Sequence, residues 1–150
     1  PLEKAPPSQP IQSVTPSPTA IPPTPVATPV STATPLPTEA APLPDLPSTP
    51  GDPRRGERLI GAAGCNGCHT VRGVGGNVGP DLTAVARRAP GRAASQKLEK
   101  PELYLVQSLV YPKAYIVEGF NPVMPNWKEL QLNERDISDL VAYLMTLTGE

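Results

Sequence analysis

A chain of 150 residues has room for one modest domain and a tail but not for two cores, which excludes an enzyme with a separate substrate domain. Of its 23 prolines, 16 lie in the first 50 positions and deprive about a third of that segment of a backbone donor, so the folded part must follow it. The formal net charge of -1 divides into -2 for residues 1–50 and +1 for residues 51–150, without the basic excess of a nucleic-acid binder.

Residues 1–51 read as a Pro/Thr-rich extended linker or tether and residues 52–150 as the domain. The first 50 residues hold 13 Ser or Thr, four charged residues and no aromatic. Such a tract cannot bury enough apolar surface to offset the entropy of ordering, and its own preference is polyproline II. At roughly 3.1 Å per residue its full reach is on the order of 150 Å. The composition suits a disordered tether or a glycosylated stalk. Because polyproline II is largely pre-formed, docking along a neighbouring subunit loses little entropy, and the tract is expected to be held on a partner. The chain starts at Pro1 without Met or signal peptide, as a mature or truncated product does, and an anchor such as a lipidated residue is expected ahead of it.

The texture turns globular at Asp52. Asp52 and Pro53 form an N-cap and first-turn pair, and Leu59, Ile60 and Ala63 continue as an apolar stripe that stops at Gly64. A glycine-rich loop over 73–80 leads to a single helical turn at Leu82 to Ala86, then to a basic connection carrying Arg87, Arg88, Arg92, Lys97 and Lys100. Pro101 opens a further helix with Leu103, Val106, Leu109 and Val110 inward, closed before Pro112. Residues 111–132, with Pro112, Pro122 and Pro125, are expected as loop. The last helix has Asn133 as cap and Asp136 in its first turn. Its apolar stripe is Ile137, Leu140, Val141, Leu144 and Met145, and Gly149 follows as a stop. No segment alternates with period two long enough to make a strand, so the fold class is all-α. The apolar stretch Leu103 to Val117 is broken by Gln107, Ser108, Pro112 and Lys113 and is too short to span a bilayer. One Phe, one Trp and four Tyr make a thin core, and a large planar cofactor is expected to fill its centre.

The chemistry concentrates in Cys65-Asn66-Gly67-Cys68-His69, the attachment signature for c-type haem. Each thiol adds across one haem vinyl group, and the adjacent His falls under the iron. A thioredoxin-type dithiol opens a helix after a strand, whereas this motif follows a helix. A zinc site needs two more Cys or His ligands, and the chain's two cysteines and one histidine all lie in this pentapeptide.

With that motif, residues 51–150 resemble a small class I cytochrome c domain. The matching features are the helix Gly56 to Ala63 running into Cys65 to His69, then Gly79-Pro80-Asp81-Leu82, then Met124-Pro125 ahead of a C-terminal helix. The resemblance implies one haem c held by two thioether bonds, with the Pro80 carbonyl accepting from the second ring nitrogen of His69. It also implies Met124 as the sixth iron ligand: Met124 precedes Pro125 in a loop, whereas Met145 sits on a helical stripe where methionine is core filler. A thioether opposite imidazole raises the reduction potential and fills the last coordination position, so the implied reaction is outer-sphere transfer of one electron. Trp127 is expected either to donate its indole N–H to a haem propionate or to shield the pocket. Tyr143 resembles the aromatic that packs on the glycine face of the first helix, here Gly56, the alternative being a half-exposed surface side chain. The Arg87, Arg88, Arg92 cluster fits either steering of an acidic partner or a solvated loop.

Residues 111–120 resemble the loop before the axial Met in cytochrome domains attached to respiratory complexes. As a whole the chain resembles the monohaem cytochrome c subunit of alternative complex III or of a related respiratory or photosynthetic complex. That resemblance implies an electron-transfer subunit rather than an enzyme, on the periplasmic side of a membrane, with redox donor and acceptor proteins as partners. A free or lipid-tethered periplasmic shuttle is the alternative. A ligand sensor or peroxidase needs an open sixth position, which Met124 argues against.

Overall fold

The computed structural model describes Leu43 and residues 48–149; the expected tether over residues 1–51 falls almost wholly outside these described residues. Among them the chain forms four helices and one two-stranded ribbon.

Helix α1 (Pro53–Ala62) starts as its sequence dictates: the Asp52 carboxylate accepts from Arg54 N–H at 2.9 Å, and Pro53 occupies the first turn, where a missing N–H costs nothing. Gly64 takes a left-handed conformation, φ 73°, and ends it. A single 3₁₀ turn, Cys65–Gly67, follows directly. Strands β1 (Thr70–Val71) and β2 (Val74–Gly75) pair antiparallel, Thr70 opposite Gly75 and Val71 opposite Val74. Their two linking residues, Arg72 and Gly73, both have positive φ, as a tight hairpin turn requires. This ribbon is too short to announce itself by alternation.

Helix α2 (Val85–Ser95) is the main departure from expectation, for residues 87–95 are helix rather than a basic connection. Three arginines, Pro90 and Gly91 mask the pattern. The stripe that is buried, Val85, Ala89 and Ala93 at i, i+4 and i+8, is mostly alanine and carries little hydrophobic signal. Pro90 is exposed, so its ring meets solvent.

Helix α3 (Pro101–Val110) has the expected bounds but a different inner face: Tyr104 and Leu105 are buried with Val106, Leu109 and Val110, while Leu103 is only partly covered. Helix α4 (Glu134–Leu144) opens with a reciprocal capping box. Asn133 Oδ1 accepts from Asp136 N–H and Asp136 Oδ2 from Asn133 N–H, each at 3.0 Å. Residues 111–132 carry no helix or strand, as the prolines predict.

Helices α1 and α4 make the closest pairing, and α3 packs on both α2 and α4. A Cβ placed on Gly56 would lie 2.0 Å from the Asp139 carbonyl oxygen and 2.7 Å from Tyr143 Cβ, so the two backbones meet where only glycine fits. Tyr143 is buried beside it rather than half-exposed. The same pair is locked by charge. The Asp139 side chain, fully buried, accepts from Asp52 N–H at 2.7 Å and pairs with Arg55 and, at 3.2 Å, with Arg135; Arg55 also holds Asp136. Gly51 already rests on α4, its Cα facing the Ser138 carbonyl, and Leu43 packs against the core.

Candidate functional site

The 3₁₀ turn places the cysteine motif. Cys65 C=O accepts from Cys68 N–H at 3.2 Å and from His69 N–H at 2.9 Å, so the two thiols and the imidazole leave one turn of chain side by side. Cys65 is partly buried, and burial pushes its thiol pKa up; Cys68 is exposed. His69 is buried.

The run from Gly79 to Thr83 lies along the chain on either side of His69. Gly79 N–H donates to Cys68 C=O at 2.9 Å and Leu82 N–H to Thr70 C=O at 2.8 Å. Between these two bonds His69 Nδ1 meets the Pro80 carbonyl oxygen at 2.7 Å. A carbonyl only accepts, so Nδ1 carries the proton and the lone pair of the neutral ring is on Nε2. Gly79 allows this: a Cβ there would stand 2.5 Å from His69 Cε1 and 2.8 Å from Nδ1.

Cys65, Cys68, His69, Pro80 and Met124 all line one cleft, whose void, with its open mouth, is about 1180 Å³. Its walls come from α1 (Ile60), the start of α2 (Val85), α3 (Leu105, Leu109) and α4 (Leu140, Leu144), so the cleft is cut into the core itself. None of its lining residues is charged. Among the described residues no cluster of three or more His, Cys, Asp or Glu is arranged to hold a bare metal ion. Two thiols, one oriented imidazole and one thioether on a mostly apolar wall fit a large, flat, largely apolar iron macrocycle.

The two methionines separate cleanly. Met124 lines the cleft, whereas Met145 is the C-cap of α4 and packs against the core. Trp127 is not among the lining residues. Its backbone N–H donates to Leu109 C=O at 3.0 Å, its ring packs on the core, and Lys128 lies 5.5 Å from the ring centroid. Asn126 braces the same turn, its side chain accepting from Lys128 N–H at 3.0 Å and its N–H donating to Glu129 Oε2 at 2.7 Å. The segment that presents Met124 is thereby anchored to α3 three residues later. Tyr104 and Tyr115 also line the cleft, edge to face with centroids 5.8 Å apart, and Arg92 donates to the Tyr104 hydroxyl at 2.9 Å. Sequence reading did not single out this pair. The one signal available in the sequence was helical spacing, Tyr104 lying one turn before Ser108 on the helix that Pro101 opens.

The sequence profile of the cytochrome c family matches residues 53–148. The chain is also similar to the cytochrome c of Ginkgo biloba, 32% identical over 111 aligned residues that cover 67% of this chain and 93% of the relative.

Proposed function

Since the chain belongs to the cytochrome c family, whose members are electron carriers that bind haem c covalently, we propose that it carries single electrons on one haem c held in the cleft by Cys65, Cys68, His69 and Met124. One observation carries the reading: a histidine with its Nδ1 proton fixed on a carbonyl oxygen, leaving the Nε2 lone pair to donate, on the same uncharged cleft wall as two thiols. When bound, the haem supplies a one-electron ferric/ferrous couple. The protein's part is to hold it. The Cys65 and Cys68 thiols are the groups that would hold the haem covalently, through its vinyls. His69 Nε2 and the Met124 thioether would be the protein's two donors to the iron, and both are neutral, so the reduced state would be favoured relative to a site with an anionic ligand. Pro80 keeps the His69 ring in one tautomer. The apolar wall excludes water and so limits the reorganisation that accompanies each charge change. Trp127 supports the Met124 segment through its backbone.

The reading extends to a setting. The chain acts as a subunit of a membrane-bound quinol-oxidising complex on the extracytoplasmic side, in the manner of the monohaem subunit of alternative complex III. The support is the 50-residue segment with 16 prolines ahead of the domain, which suits a stiff spacer between an anchor and the haem domain. Attachment is assigned to partners or to a lipid ahead of the segment; no helix among the described residues is long and apolar enough to cross a membrane.

The test is expression with a c-type maturation system. A haem-stained denaturing gel, the pyridine haemochrome spectrum and iron stoichiometry are expected to show one covalent haem per chain. A Cys65→Ala, Cys68→Ala chain that still carries covalent haem overturns the assignment. Purification from native membranes in mild detergent tests the setting: co-purifying quinol-oxidising subunits support it, and release of the chain as a lone soluble protein replaces it with the shuttle.

A further inference from the structure

Arg88 stands on α2, outside the cleft, yet its guanidinium donates to the backbone carbonyl of Asp81, the residue after Pro80. From the chain around His69 the run 79–83 is held by Gly79 to Cys68 at 2.9 Å, Leu82 to Thr70 at 2.8 Å, and Arg72 N–H to Thr83 Oγ1 at 2.8 Å, and at its far end Val85 N–H, the start of α2, donates to Leu82 C=O at 3.0 Å. Thr83 N–H in turn donates to the Asp81 carboxylate at 2.6 Å. Proline has no N–H, so Pro80 cannot be pinned through its own nitrogen as Gly79 and Leu82 are. Arg88 supplies a hold immediately beyond it, and from a helix, so the site is tied to the packing of α2 on α3. Hydrogen bonds from Thr83, with a smaller contribution from the charge of Arg88, keep the Asp81 carboxyl below the usual range, which agrees with an ordered corner.

We propose that Arg88 is a positioning residue for His69: by holding the Asp81 carbonyl it fixes the Pro80 peptide that receives the Nδ1 proton. The proposal rests on the assignment of His69 as the iron ligand. A well-placed acceptor at Nδ1 makes Nε2 the stronger donor and favours ferric iron. A loosened acceptor favours ferrous iron and lets the Nδ1 proton exchange. Loss of a positive charge alone acts in the opposite sense on the potential, because it removes a repulsion felt by the ferric state, and salt screens it. The two accounts therefore separate at the proton.

The experiment follows the His69 Nδ1–H resonance and its solvent exchange by NMR in the reduced haem protein. Arg88→Met keeps the apolar stem and removes the donors. It is expected to accelerate exchange by about fivefold, the population factor that losing one ordinary hydrogen bond brings, and to shift the resonance upfield. Arg88→Lys, with a single ammonium nitrogen in place of a planar fork, is expected to restore part of the protection. Arg87→Met makes the same charge change at the neighbouring exposed position and is expected to leave the proton unmoved. Wild-type exchange in Arg88→Met, or equal acceleration in Arg87→Met, overturns the positioning role while leaving the haem assignment intact. A wild-type spectrum without histidine ligation overturns both.

Discussion

A methyl group is enough to test the two close approaches on which the molecule depends. At Gly56 it would meet the Asp139 carbonyl oxygen at 2.0 Å, an atom of helical backbone that cannot turn aside. Gly56→Ala is therefore expected to force α1 and α4 apart and to destabilise the haem protein by about 2–3 kcal/mol, read from guanidinium unfolding; an unchanged midpoint would mean that the helices separate freely. At Gly79 the obstacle is the His69 ring, and there the damage falls on the axial donor. Methionine supplies the sharper comparison. Met124→Ala is expected to lower the reduction potential and open the iron to carbon monoxide, because the thioether on the cleft wall is gone. Met145→Leu, a volume-conserving change at the end of α4, is expected to alter neither. A carbon monoxide difference spectrum and a redox titration of the two variants decide it. The sequence already separated these methionines, since Pro125 forces extended backbone at Met124 while Met145 continues a helical stripe. It did not show that Trp127 lies outside the cleft lining, because a ring beside a loop methionine has two neighbours to choose from.

Among the elements, α1 and α4 are joined by the buried Asp139 carboxylate, and α2 carries a proline in its interior. Burial by itself raises the Asp139 pKa. The Asp52 N–H, the Arg55 hydrogen bond and the charges of Arg135 and Arg55 outweigh it and leave the group below its ordinary value. A folded pKa below the unfolded one means stability that is fully present above the usual carboxylate range and is lost as pH falls through the depressed folded value. Asp139→Asn is expected to cost about 1–3 kcal/mol at neutral pH, since Asp52 N–H and two arginines lose a charged acceptor. The gap from wild type should close in acid, where wild type alone loses this contribution; thermal melts of both proteins across the acid range check the sign. Pro90 cannot donate to the Ala86 carbonyl, and its exposed ring contributes no core packing. Pro90→Ala is expected to stabilise by about 1 kcal/mol, the restored helical bond outweighing the freedom returned to the unfolded chain. A fall in melting temperature would show that the proline itself is needed for the approach of α2 to α3.

For the whole molecule, the relation between the proline-rich segment and the haem domain is the point to test. Deletion of residues 1–42 is expected to leave the absorption spectrum and melting temperature of the domain unchanged, because α1 to α4 supply the core, whereas removal of Leu43 to Gly51 as well should lower the melting temperature, since Leu43 and Gly51 pack on it. Slower hydrogen exchange and proteolysis of the tract in the assembled complex than in the isolated chain would place the chain as a built-in subunit; equal and rapid cleavage in both would leave it a free leash. Local chemistry determined much of this protein. Asp52-Pro53, Asn133 with Asp136, and Cys65 to His69 each act within one turn of chain, so a cap, a capping box and a haem-attachment turn are legible from spacing alone. Tertiary structure decided the rest. Val85, Ala89 and Ala93 become a buried face only because α3 lies against them, Gly56 matters only because the backbone of α4 crosses there, and Arg88 reaches Asp81 only once α2 is a helix. Small and charged residues carry no burial signal of their own, and what they do is set by the partner the fold brings opposite them.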